Sequence, residues 1–158
     1  MANTQSMCTS FMGELMTATH NFGTAPIRAA TTADTFKAAL YLTSATVNAA
    51  TTAYSSTGEV TGTNYTAGGV TVTNATAPIA TNSSATAGVA YWTPSASITY
   101  TTVTLSTAFD AVLIYNSTQS NKAVSVHTFG SQTITAGTFT LTMPSNTTTT
   151  ALLRLSTT

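Results

Sequence analysis

Few side chains in this sequence can do acid–base or nucleophilic chemistry. The acids are Glu14, Asp34, Glu59 and Asp110, the bases Arg28, Lys37, Lys122 and Arg154, and the histidines His20 and His127. Asp110, His127 and any of several serines supply the parts of a hydrolytic triad, but no nucleophile-elbow motif presents a serine. Glu59 and Asp110 supply the two carboxylates of a glycosidase. Nothing in their spacing favours that over single surface or turn carboxylates. No His-x-x-x-His, acidic calcium loop or cysteine cluster marks a metal site, so neither metal nor cofactor is expected. Tyr65-Thr-Ala-Gly-Gly lacks the lysine and following helix of a phosphate loop and reads as a turn. These absences predict a chain without catalytic residues, one that is not an enzyme.

The composition around these groups is unusual. Threonine makes up a quarter of the 158 residues, and only eight residues carry a formal charge, four of each sign. A typical domain devotes about a quarter of its residues to charge. Threonine hydrates the surface through its hydroxyl, and its β-branch suits a pleated sheet. A net charge of zero gives no attraction for nucleic acid or an acidic membrane, and removes the repulsion that keeps free copies apart. Association with other protein is therefore expected, with neither nucleic acid nor membrane as a partner. Cys8 is the only cysteine, which excludes an intrachain disulfide. The opening Met-Ala-Asn-Thr-Gln-Ser has no basic region before an apolar run, which predicts no signal peptide and synthesis in a cytoplasm.

The elements that position these residues divide the chain in two. Residues 1–30 read as an N-terminal helical segment for anchoring or oligomerisation. Ser10 caps a short α-helix, and Met7, Phe11, Leu15, Ala18 and Phe22 form one stripe at spacings of three and four. Residues 31–158 read as a β-domain. Thr35–Leu42 is a strand, turns follow around Gly58–Gly69, and Val70 and Val72 share a face. Ile98 with Tyr100, and Val103 with Leu105, form alternating strands. Phe109–Tyr115 lacks alternation and reads as buried on both faces. Ile134–Met143 reads as a hairpin about Ala136-Gly137, and Ala151–Leu155 closes the chain. The expected fold is all-β, a β-sandwich or jelly roll preceded by one short helix. The Thr-x-Thr runs have no fixed period, so the polar faces of half-buried strands explain them better than the threonine ladders of an ice-binding solenoid.

Several segments are similar to a family of small structural proteins of tailed bacteriophages. They are Met7-Cys-Thr-Ser-Phe-Met-Gly-Glu-Leu-Met, Asp34-Thr-Phe-Lys-Ala-Ala-Leu-Tyr and Gly58-Glu-Val-Thr-Gly-Thr-Asn-Tyr-Thr-Ala-Gly-Gly-Val, then Phe109-Asp-Ala-Val-Leu-Ile-Tyr-Asn and Phe139-Thr-Leu-Thr-Met-Pro. The family pattern carries a lysine where Met12 stands. The resemblance implies a virion component made in the bacterial host cytoplasm. The expected role is a capsid decoration (cement) protein that binds neighbouring major capsid subunits as a homo-oligomer, with a trimer favoured. A tail, neck or fibre component touching the host, with glycan contact, is the alternative. Met7, Phe11, Leu15 and Phe22 are the expected assembly interface, and Tyr91 and Trp92 the expected surface aromatics, beside the plainer readings that the stripe docks on the chain's own sheet and that Trp92 plugs the core or a subunit interface. A carbohydrate-processing module using Glu59, Asp110 or His127 is the third reading.

Overall fold

The computed structural model describes residues 3–8, 11, 15, 19–20, 22, 33–73, 79–80 and 89–156. Its elements are strands: β1 (Ser6–Met7), β2 (Phe36–Leu42), β3 (Val70–Thr71), β4 (Ile79–Ala80), β5 (Val89–Trp92), β6 (Ile98–Asn116), β7 (Lys122–Leu141) and β8 (Leu153–Ser156). They form a five-stranded sheet in the order β1-β7-β6-β2-β3 and a three-stranded sheet in the order β4-β5-β8. Every described pairing is antiparallel. The all-β class read from the sequence is what the chain adopts.

The large sheet is built on β2, β6 and β7. Strand β2 lies between β6 and β3, and Phe36, Ala38, Ala39, Leu40 and Tyr41 are all almost fully buried. Burial of both faces explains why this run shows no polar alternation. The same holds for Phe109–Tyr115 on β6, apart from Asp110, as its lack of alternation predicts. Small residues on β2 let other backbone come close. A Cβ on Gly69, whose φ is +72°, would stand 1.6 Å from the Ala38 carbonyl oxygen. Gly69 therefore holds the 58–69 loop against the sheet, and the Tyr100 hydroxyl donates to the same Ala38 oxygen at 2.8 Å.

Three expectations need correction. The first is the hairpin about Ala136-Gly137, which does not form. Strand β7 runs through it, and Ala136 takes a φ of +47° as an irregularity in the β6–β7 ladder. Its N–H donates to the Thr104 hydroxyl at 3.0 Å, so the small dipeptide absorbs a bulge rather than a turn. The real β6–β7 turn is Ser117–Asn121. There Ser120 and Asn121 have positive φ, and the Asn116 side-chain oxygen accepts from the Thr118 and Gln119 amides.

The second concerns Ile98–Tyr100, Val103–Leu105 and Phe109–Tyr115, which are one strand rather than three. Thr102, at φ +52°, sits where the register shifts, and its carbonyl accepts from the Asn64 side-chain amide at 2.9 Å.

The third concerns the N-terminal stripe. Met7 is on a strand paired with Ser125, not on a helix. Phe11 and Leu15 have helical backbone, but Ala18 and most of the expected helix lie outside the described residues, and no helix is defined among those described. The described part of residues 1–30 is not a detached segment. Cys8, Phe11 and Phe22 belong to the same buried core as β2, β6 and β7.

Candidate functional site

Aromatic packing brings the N-terminal residues to the small sheet. Phe22 stacks on Phe36 of β2 at 4.4 Å between ring centroids and meets Trp92 of β5 edge-on at 4.8 Å. Phe11 stands edge-on to Phe22 and to His20. Such pairs contribute about 0.5–1.5 kcal/mol each beyond area burial. The cluster rests on polar groups that are satisfied. The Asn116 amide bonds His20 Nδ1 at 3.0 Å and Asp34 at 2.8 Å, and Gln119 donates to the other Asp34 oxygen at 3.3 Å. An amide nitrogen only donates, so His20 Nδ1 accepts and its proton sits on Nε2.

The pairing of β5 with β8 then completes a surface. Trp92 lies opposite Leu153, and Ala90 opposite Leu155. Directly paired residues share a face, as do residues two apart. Ala90, Trp92, Leu153 and Leu155 thus form one apolar face. With Met7, Phe11, Leu15, Phe22 and Tyr91 they line a groove of about 100 Å³. Leu155 is 43% exposed at its rim. Among the described residues no charged side chain lines this groove. Ligand pockets for small molecules usually span roughly 300–1,000 Å³, so the groove suits an apolar side chain better than a cofactor or sugar.

All six candidate contact residues therefore converge here, and several of them pack on the chain's own sheet. Phe11 and Phe22 are buried in the chain's own core, while Met7 and Leu15 are half-buried against it. Trp92 is not a surface aromatic. It is only 3% exposed, and Tyr91 is half-buried. The Trp92 indole N–H has no hydrogen-bond partner among the described residues, and leaving it unpaired would cost about 1–3 kcal/mol. Sequence reasoning missed Ala90, Leu153 and Leu155. The alternation of Leu153 and Leu155 within Ala151–Leu155 was the signal available.

The residues considered for catalysis are dispersed into structural roles. Glu59 is 6% exposed and accepts from the Tyr54 hydroxyl at 2.6 Å, the Tyr65 hydroxyl at 2.7 Å and the Gly68 amide at 2.7 Å. Burial, then the hydrogen bond to Glu59, pushes the Tyr54 and Tyr65 phenols well above their usual range. Asp110 accepts from the Asn3 amide instead. The Ser125 hydroxyl does meet His127 Nε2, at 2.9 Å. Burial pushes His127 down to about 4, so it is neutral at physiological pH. Ser125 is 1% exposed, although it and His127 border a cavity of about 280 Å³, and no acidic side chain bonds the imidazole among the described contacts. Among the described residues no group of three or more His, Cys, Asp or Glu side chains is placed to hold a metal ion. Compared with known protein families, curated proteins and solved structures, the chain matches none.

Proposed function

We propose that this chain is a non-enzymatic structural subunit of a tailed-bacteriophage virion, a decoration (cement) protein on the capsid. It is made in the host cytoplasm and stabilises the head by binding neighbouring major capsid subunits. The observation that carries this reading is the uncharged groove between β1, β5 and β8, sized for one apolar side chain and rimmed by exposed Leu155. A groove of this kind fits a protein neighbour. The near absence of charge and the resemblance to phage structural proteins support the same reading. The architecture proposed with it is a sandwich, the small sheet closing over the large one through Trp92, Phe22 and Phe36. A short helix around Phe11 and Leu15 completes it.

Copy number tests the placement. Quantitative mass spectrometry of purified particles should find hundreds of copies per head, and a few to dozens would move the protein to the tail. A Leu155→Glu chain should fold normally yet fail to bind heads lacking the protein. Binding at wild-type level would remove the groove from the interface.

A further inference from the structure

A second surface carries an inference of its own, independent of any virion setting. Strand β7 pairs with β6 on one side, and on the other only its first residues, Lys122–Val126, meet described backbone, that of Ala53, Thr52, Cys8 and β1. No described backbone group pairs with its outer edge from Gly130 to Leu141. Free edges of this length are normally guarded by lysine, proline or inward charge. Here no charged residue occurs between Lys122 and Arg154, and no proline between Pro94 and Pro144. Thr133, Thr135, Thr138 and Thr140 are exposed, while Ile134, Gly137, Phe139 and Leu141 are half-buried toward the protein. The irregularity at Ala136 is what keeps Ile134 and Phe139 on the same side despite their odd spacing.

We propose that this edge pairs antiparallel with the same edge of a second copy, about a two-fold axis between Ala136 and Gly137. The segment Thr133-Ile-Thr-Ala-Gly-Thr-Phe-Thr140 is a palindrome of residue types. Folded against itself, it sets Thr133 opposite the partner's Thr140 and Ile134 opposite the partner's Phe139. Thr135 then meets the partner's Thr138, and Ala136 the partner's Gly137. Each irregularity faces its counterpart rather than a regular strand. Thr–Thr and aromatic–β-branched pairs are among those that stabilise antiparallel neighbours. A self-complementary patch is what a two-fold contact requires. A second copy is the occupant because neither edge holds a charge that the other must neutralise, and the net charge of zero sets up no repulsion between copies. The contact is two-fold, which differs from the trimer expected from the resemblance.

The test exploits the register. Sedimentation of the purified full chain, over concentrations up to about 1 mM, should show a monomer–dimer equilibrium, since a short strand contact falls among small, transient interfaces. The Thr135→Lys/Thr138→Lys variant places like charges opposite each other and should weaken the dimer roughly tenfold or more. The Thr135→Lys/Thr138→Glu variant pairs opposite charges and should restore it, in a salt-sensitive way. Both positions are exposed, and circular dichroism verifies that each variant folds. A wild type that is monomeric throughout, or trimeric, overturns the proposal. So does a doubly lysine-substituted chain that dimerises as well as wild type, or a Lys/Glu variant no better than it.

Discussion

Glu59 is a buried carboxylate held by two phenols and one amide, with no cation among its hydrogen-bond partners. Its role is to order the 53–69 segment against β2, because Tyr65 also accepts from the Leu40 amide at 3.0 Å. Glu59→Gln turns one acceptor into a donor facing groups that already donate, and should cost about 2–4 kcal/mol. Tyr65→Phe removes one bond and should cost less, about 1–3 kcal/mol. Urea midpoints measure both, and a Glu59→Gln change within experimental error of wild type would show that the loop is ordered otherwise. Titration adds a pH profile. Because the folded state depresses His127 to about 4, its contribution is whole above about 6.5 and is lost as pH falls toward 4. The size is roughly 3 kcal/mol at most. On the alkaline side, burial first and the Glu59 charge after it push Tyr41 up to about 12. That contribution is whole below about pH 10 and is lost as pH rises through 12. Melting temperatures from pH 3 to 12 should fall on both flanks, and His127→Gln should flatten only the acid one.

At the scale of elements, the contrast between two glycines checks the loop-to-sheet contact. Gly69→Ala forces a side chain into the Ala38 carbonyl at positive φ and should cost more than about 3 kcal/mol. Gly130→Ala on β7 meets nothing within 4 Å and should leave stability unchanged or raise it by up to about 1 kcal/mol. Chemical denaturation of the two variants reads both. The strands best legible in the sequence, Phe36–Leu42 and Phe109–Tyr115, are those whose burial on both faces leaves an apolar run broken only by Lys37 and Asp110. The hairpin was misplaced because Ala136-Gly137 carries turn-type residues that serve a bulge. The true turn, Ser117–Asn121, has no glycine or proline and relies on positive φ at Ser120 and Asn121. The candidate groove was half legible. Met7, Phe11, Leu15 and Phe22 stood out by spacing, though Met7 belongs to a strand. Leu153 and Leu155 reach the groove through pairing with β5, more than 60 residues away in the chain, and local periodicity carries no trace of such a partner.

For the whole molecule, one core implies one transition. Cys8, Phe11 and Phe22 belong to one core with residues of β2, β5, β6, β7 and β8, so the N-terminal part contributes to folding as well as to any docking. Deleting residues 1–22 removes these groups, and each buried phenylalanine alone is worth about 3–5 kcal/mol. Against a domain stability of about 5–15 kcal/mol, the truncated chain should lose its cooperative melt by calorimetry. A truncated chain that melts as sharply as wild type would make the N-terminus an appendage.

The scarcity of cations has a consequence for durability. Trypsin cuts after lysine and arginine and needs an extended, unpaired stretch to do so. Lys37 is locked between β3 and β6, Lys122 begins β7 opposite Asn116, and Arg154 pairs with Tyr91 while its guanidinium holds the Thr148 carbonyl. Each of these three cleavage points is therefore exposed only when sheet is lost. At these three sites proteolytic survival is thus tied to the integrity of the ladders, while Arg28 lies outside the described residues.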